Sequence, residues 1–112
     1  MFIELMRAFE PEEIGHETEC GVCGEDFLTG SVTANAVTDG RTDMGNVCPA
    51  CVEVLGRRNP ERFPTLEVYE EMNRRYPEPM FASGEEVMRR EIERDPAVDE
   101  AFDARFVWRA AL

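Results

Sequence analysis

The sequence predicts a small α+β protein, with a cysteine-bearing, strand-containing first half followed by helices. Three observations carry that expectation. Two Cys-x2-Cys pairs, Cys20/Cys23 and Cys48/Cys51, stand 24 residues apart. Between them lies a stretch rich in β-branched residues that ends on Asp39-Gly40. After the second pair, apolar residues recur at helical spacing between proline and glycine stops.

Taken in order, Phe2 to Phe9 is a short apolar stretch readable as a strand or a helical turn, because periodicity does not separate the two at this length. Glu10-Pro11-Glu12-Glu13 breaks it, and Ile14 to Glu19 leads into the first cysteine pair in extended form. Cys20-Gly21-Val22-Cys23-Gly24 has the form of a knuckle, in which Gly24 takes a positive φ and turns backbone N–H groups toward thiolate sulfur. Thr29-Gly30 marks a turn. Val32, Ala34 and Ala36 then alternate along a strand, Asp39-Gly40 signals a type I′ hairpin turn, and Arg41 to Val47 is the return strand. Cys48 to Leu55 reads as a helix with Pro49 in its first turn, ended by Gly56 at a left-handed cap.

Beyond a linker bracketed by Pro60 and Pro64, three more helices are expected. Leu66, Tyr69, Met72 and Tyr76 share one face, and Pro77 and Pro79 stop that segment. Ser83-Gly84-Glu85-Glu86 reads as a capping box ahead of Val87, Met88 and Ile92. Asp95-Pro96 opens a last helix whose stripe runs through Val98, Ala101, Phe102, Arg105, Phe106 and Arg109.

The cysteines carry the strongest chemistry. A two-residue gap lets a tight turn aim two sulfurs at one ion, and a second pair arriving from elsewhere closes a tetrahedron. Two matched pairs, with no fifth cysteine, therefore predict one structural zinc ion held by Cys20, Cys23, Cys48 and Cys51. Iron also occupies four thiolates, so the spacing defines the site more sharply than the ion. Two disulfides would suit a secreted chain, but Met1 to Arg7 lacks a basic region before its apolar one. A thioredoxin-like redox pair would leave the second pair without a role. The expected division is a zinc-binding part with its lead-in over residues 1–56, and a helical extension over 57–112 that packs on it or projects from it.

Knuckle, hairpin and second pair at a helix start resemble the treble-clef group of zinc fingers over about residues 14–56. The resemblance implies a fold. It does not imply one function, because the group includes nucleic-acid-binding, protein-binding and nuclease members.

Charge narrows the function classes. The formal net charge is −12, with residues 1–56 holding eleven acids against two arginines, and 57–112 thirteen against ten. Every basic residue is arginine. Such a surface repels phosphate unless arginines gather locally; Arg57, Arg58 and Arg62, just after the cysteine helix, are the candidates. Glutamates interleave with them and with Arg74-Arg75, as in helix pairing. A closed four-thiolate shell leaves no position for substrate, and the single histidine, His16, reads as a solvent-facing residue. The chain is thus expected to be a cytosolic, non-enzymatic protein that acts as an adaptor or regulator through a protein partner or self-association. Phe102, Phe106, Trp108 and Leu112 are the candidate apolar contacts. A nucleic-acid-binding zinc finger is the alternative, and an acidic cover for a basic protein surface is the third reading. No run of apolar residues predicts a membrane span, and no small-molecule substrate is indicated.

Overall fold

Alternation decides the first element. Ile3 and Leu5 are fully buried while Phe2, Glu4 and Met6 are only partly covered, and Phe2–Arg7 forms strand β1. The computed structural model describes residues 1–40, 42–93 and 106–108 of the chain. A short 3-10 turn, Pro11–Glu13, separates β1 from a two-stranded antiparallel hairpin of β2, Glu17–Glu19, and β3, Asp26–Leu28. Strands β4, Val32–Val37, and β5, Asp43–Val47, follow, then helix α1, Pro49–Arg58. Helices α2, Leu66–Arg75, and α3, Gly84–Glu93, and strand β6, Phe106–Trp108, complete the described residues.

The larger sheet has the order β5-β4-β1-β6, all neighbours antiparallel. Leu5 lies opposite Ala34 and Ile3 opposite Ala36, so one face presents small and branched apolar side chains to α1 and α2. Ile3, Leu5, Val32, Val47 and Val52 are the largest fully buried side chains, and burial of each contributes about 1.5–3 kcal/mol. Phe63 and Tyr69 join the same cluster. Fold class is therefore α+β, with three helices and two antiparallel sheets among the described residues.

Several expectations are met closely. The lead-in is extended over Glu17–Glu19, the hairpin spans β4 and β5, and α2 begins after Thr65, whose Oγ1 accepts from the Val68 N–H at 3.2 Å. Helix α3 starts behind Ser83, whose Oγ accepts from the Glu86 N–H at 3.2 Å.

Three expectations are corrected. Phe106–Trp108 belongs to a strand on β1 rather than to a helix, because Leu5 and Met6 supply a backbone ladder from far away in sequence that outweighs a helical stripe. The rest of that expected helix, Phe102 and Leu112 included, lies outside the described residues. The β4–β5 connection is not a two-residue turn on Asp39-Gly40. Val37 pairs with Asp43, the Thr38 N–H donates to the Thr42 carbonyl, and the Thr42 N–H donates to the Thr38 hydroxyl. Positive φ occurs instead at Gly45, at +98°, in a bulge that makes Met44 the extra residue. Finally, Gly56 does not cap α1. It is buried inside the helix, and a Cβ there would stand 2.5 Å from the Pro64 carbonyl oxygen. The glycine serves close approach, and Asn59 takes the cap.

Candidate metal centre

Two loops meet to form the site. The β2–β3 hairpin turns through the first cysteine pair: the Cys20 N–H donates to the Glu25 carbonyl and the Gly24 N–H to the Cys20 carbonyl. Gly24 carries φ +78°, as its place after Cys23 predicts. The second pair sits where β5 gives way to α1, with Cys48 as N-cap and Pro49 at the first helical position. Gly21 joins the loops. Its N–H donates to the Asn46 carbonyl at 2.8 Å, and any side chain at that position would collide with the Met44 carbonyl. Sequence reading missed this clamp, whose only signal was the glycine inside Cys-Gly-Val-Cys.

The four sulfurs lie within 4.8 Å of one another. Cys23 and Cys48 Sγ are 3.7 Å apart. A tetrahedral ion with metal–sulfur bonds of about 2.3 Å spaces its sulfurs about 3.8 Å apart, whereas a disulfide needs about 2.05 Å. All four cysteines are free. The donor set therefore fits one thiolate-preferring ion, with Cys20 and Cys48 buried, Cys51 half-buried and Cys23 exposed.

Backbone groups prepare the sulfurs unequally. Cys20 Sγ accepts from the Val22 N–H at 3.4 Å and the Cys48 N–H at 3.3 Å. Burial raises the Cys20 thiol, yet the N–H groups of Cys23, Cys48 and Val22, with the Cys23 thiol, bring it down to about 6. Burial pushes Cys48 up, and it pushes Cys51 far up, where the neighbouring sulfurs add to the effect. Backbone N–H groups thus favour the thiolate at Cys20, whereas burial favours the thiol at Cys48 and Cys51, which would give up their protons to a bound metal.

The other predicted residues do not gather here. His16 is exposed and outside the sulfur cluster. Arg57 pairs with Glu53 at 2.7 Å on its own helix. Arg62 stands 3.5 Å from Asp39, which also receives the Met1 ammonium at 2.7 Å. Arg58 is exposed and makes no ion pair among the described residues. Arg74 and Arg75 both turn onto Glu71. Phe106 and Trp108 fall in β6.

No helix among the described residues is long and apolar enough to cross a membrane. No family model, no curated protein and no solved structure matches the chain, so the site defines it only as a small α+β protein with four cysteines placed where they could hold one metal ion.

Proposed function

We propose that the chain is a non-enzymatic, zinc-binding interaction module of treble-clef type, acting as an adaptor or regulatory component through contacts with another protein. The observation that carries this reading is the cluster of four thiols within 4.8 Å, which uses every coordination position of a tetrahedral ion. Such a shell supports structure and leaves no place for substrate or activated water. The knuckle at a hairpin tip and the second pair at a helix N-terminus support the treble-clef reading. Zinc suits four thiolates with no demand on d-electron geometry.

Pairing of Arg57 with Glu53 and of Arg62 with Asp39 weighs against a phosphate-binding face after α1. Elemental analysis of the purified chain should return one zinc per molecule. Fluorescence anisotropy with single- and double-stranded nucleic acid should show no binding at about 150 mM salt. Zinc-dependent nucleic-acid binding would replace this reading with the nucleic-acid one.

A further inference from the structure

The hairpin that carries the first cysteine pair has two unlike faces. Thr18 and Phe27, opposite each other, turn inward, and Phe27 packs on the core. Glu17 lies opposite Leu28 and Glu19 opposite Asp26, so these four side chains share the outer face, and all four are exposed. Leu28 is 67% exposed, the most open large apolar side chain among the described residues.

Three features make this face unusual. Two carboxylates, Glu19 and Asp26, stand directly across the ladder from one another, an arrangement that destabilises a strand pair. None of Glu17, Glu19, Glu25 or Asp26 takes part in an ion pair among the described residues, although arginines elsewhere are matched to carboxylates. Between Arg7 and Arg41 the chain has eight acids and neither lysine nor arginine, so no basic neighbour in sequence balances the hairpin. Of five exposed large apolar side chains among the described residues, Leu28 is on this face, while Val22, Met44 and Val54 lie on the other segments that carry or adjoin the four cysteines.

We propose that the outer β2–β3 face is a docking surface for a cationic protein segment, in which an apolar side chain covers Leu28 while flanking lysines or arginines meet Glu17, Glu19 and Asp26. This rests on the interaction-module reading and names its partner class. Charge complementarity selects the occupant: phosphate-rich polymers are repelled, whereas a basic segment relieves the Glu19–Asp26 repulsion as it binds. Leu28 supplies what charge alone lacks, since an exposed apolar residue ringed by polar ones gains when it is covered. Four bound thiolates on a divalent ion add net negative charge beside the face and strengthen the attraction for cations.

The test uses the full zinc-loaded chain and two synthetic peptides, one with leucine between paired lysines and arginines and one with serine in its place. Amide shifts in 15N spectra report where each binds. Expected are shifts confined to residues 17–28, affinity about tenfold weaker for the serine peptide and for the Glu19→Gln/Asp26→Asn protein, and loss of binding between about 50 and 500 mM salt. Leu28→Ser should weaken the leucine peptide and leave the serine peptide unchanged. Zinc content and far-UV spectra of each variant separate a lost face from a lost fold. Shifts that map to α2 or α3, equal affinity for both peptides, displacement of the peptide by millimolar Mg2+ at constant ionic strength, or a self-association that buries the face would each overturn the proposal. The broader reading would survive those results if another surface engaged a protein.

Discussion

The side-chain amide of Asn73 pairs with both backbone groups of Val32: the Val32 N–H donates to Oδ1 at 3.0 Å, and Nδ2 donates to the Val32 carbonyl at 3.0 Å. Strand β5 pairs no further along β4 than Val47 opposite Ala34. Asn73 on α2 supplies the next rung, imitating a peptide unit on the open side of β4. The same amide donates to the Tyr69 carbonyl at 3.2 Å and accepts from the Ser31 hydroxyl at 3.2 Å, and a side chain on Gly30 would crowd it. One residue thereby ties α2 to the sheet through the buried Val32.

Asn73→Ala should therefore destabilise the fold by about 2–4 kcal/mol, because two backbone groups of a buried residue lose their partners. Asn73→Asp should do comparable harm, since a carboxylate accepts from the N–H but cannot donate to the carbonyl. Urea denaturation checks both, and zinc stoichiometry in the folded protein should not change.

Replacing Cys20 or Cys51 with serine should abolish metal binding and unfold the first half of the chain, because binding of the ion is also folding energy there. A strong chelator should do the same to the unaltered protein. Elemental analysis with far-UV circular dichroism measures the outcome. A metal-free chain with an intact spectrum would refute the structural role.

Gly56→Ala tests a different kind of contact. Helix propensity alone would favour alanine by about 1 kcal/mol. The new methyl would meet the Pro64 carbonyl at 2.5 Å and the Thr65 Cα at 3.1 Å, both backbone atoms that cannot swing aside. Net destabilisation of about 1–3 kcal/mol is expected, read as a lower denaturation midpoint.

Metal retention should fall with pH in a staged way. Cys48 and Cys51 lie above the ordinary thiol range, so at pH 7 each is a thiol and releases a proton when metal binds. Cys20, depressed to about 6, is already mostly thiolate at pH 7 and releases little. Its charge-linked contribution is fully present above the ordinary value of 9.0 and is lost as pH falls through about 6. Log affinity against pH should thus steepen by about one proton between pH 7 and 5. Competition titrations against a chromogenic chelator across that range would show it. A constant slope would contradict the thiolate favoured at Cys20.

Salt should stabilise the protein. With a net charge of −12 and carboxylates on the β2–β3 face facing one another, self-repulsion opposes compaction, and its screening should raise the thermal midpoint between about 0.05 and 1 M sodium chloride. A midpoint that falls with salt would mean that surface ion pairs, five of them among the described residues, outweigh the repulsion.

The features legible in the sequence were those written locally. Matched cysteine spacing located the four-thiol cluster, Gly24 its left-handed turn, and the periods of 2 and 3.6 located β4, α2 and α3. Other features depended on neighbours far along the chain. Phe106-Val107-Trp108 fits either a helix or a strand when read alone, and only Leu5 and Met6 decide it. Gly56 reads as a helix cap and Gly21 only as part of the knuckle, because the backbone each approaches lies in another segment. Asn73 sat unnoticed between apolar helix positions, since a side chain that imitates a peptide leaves no pattern. Arg57 and Arg62, neighbours in sequence, pair with different carboxylates, Glu53 and Asp39, and the second of these partners is not legible from spacing.

Strand β1 occupies the interior of the sheet, flanked by β4 on one side and by β6, about a hundred residues away, on the other. A ladder of such separation carries a large loop-closure cost before it stabilises anything. As the chain leaves the ribosome, both cysteine pairs and α1 are available long before β6 is. The metal lobe can therefore assemble early, while one edge of β1 waits unpaired through the synthesis of α2 and α3. During that interval the free edge of β1 is open to a wrong partner, and prompt metal loading would shorten the list of partners by fixing α1 and β5, which pairs with β4 rather than with β1.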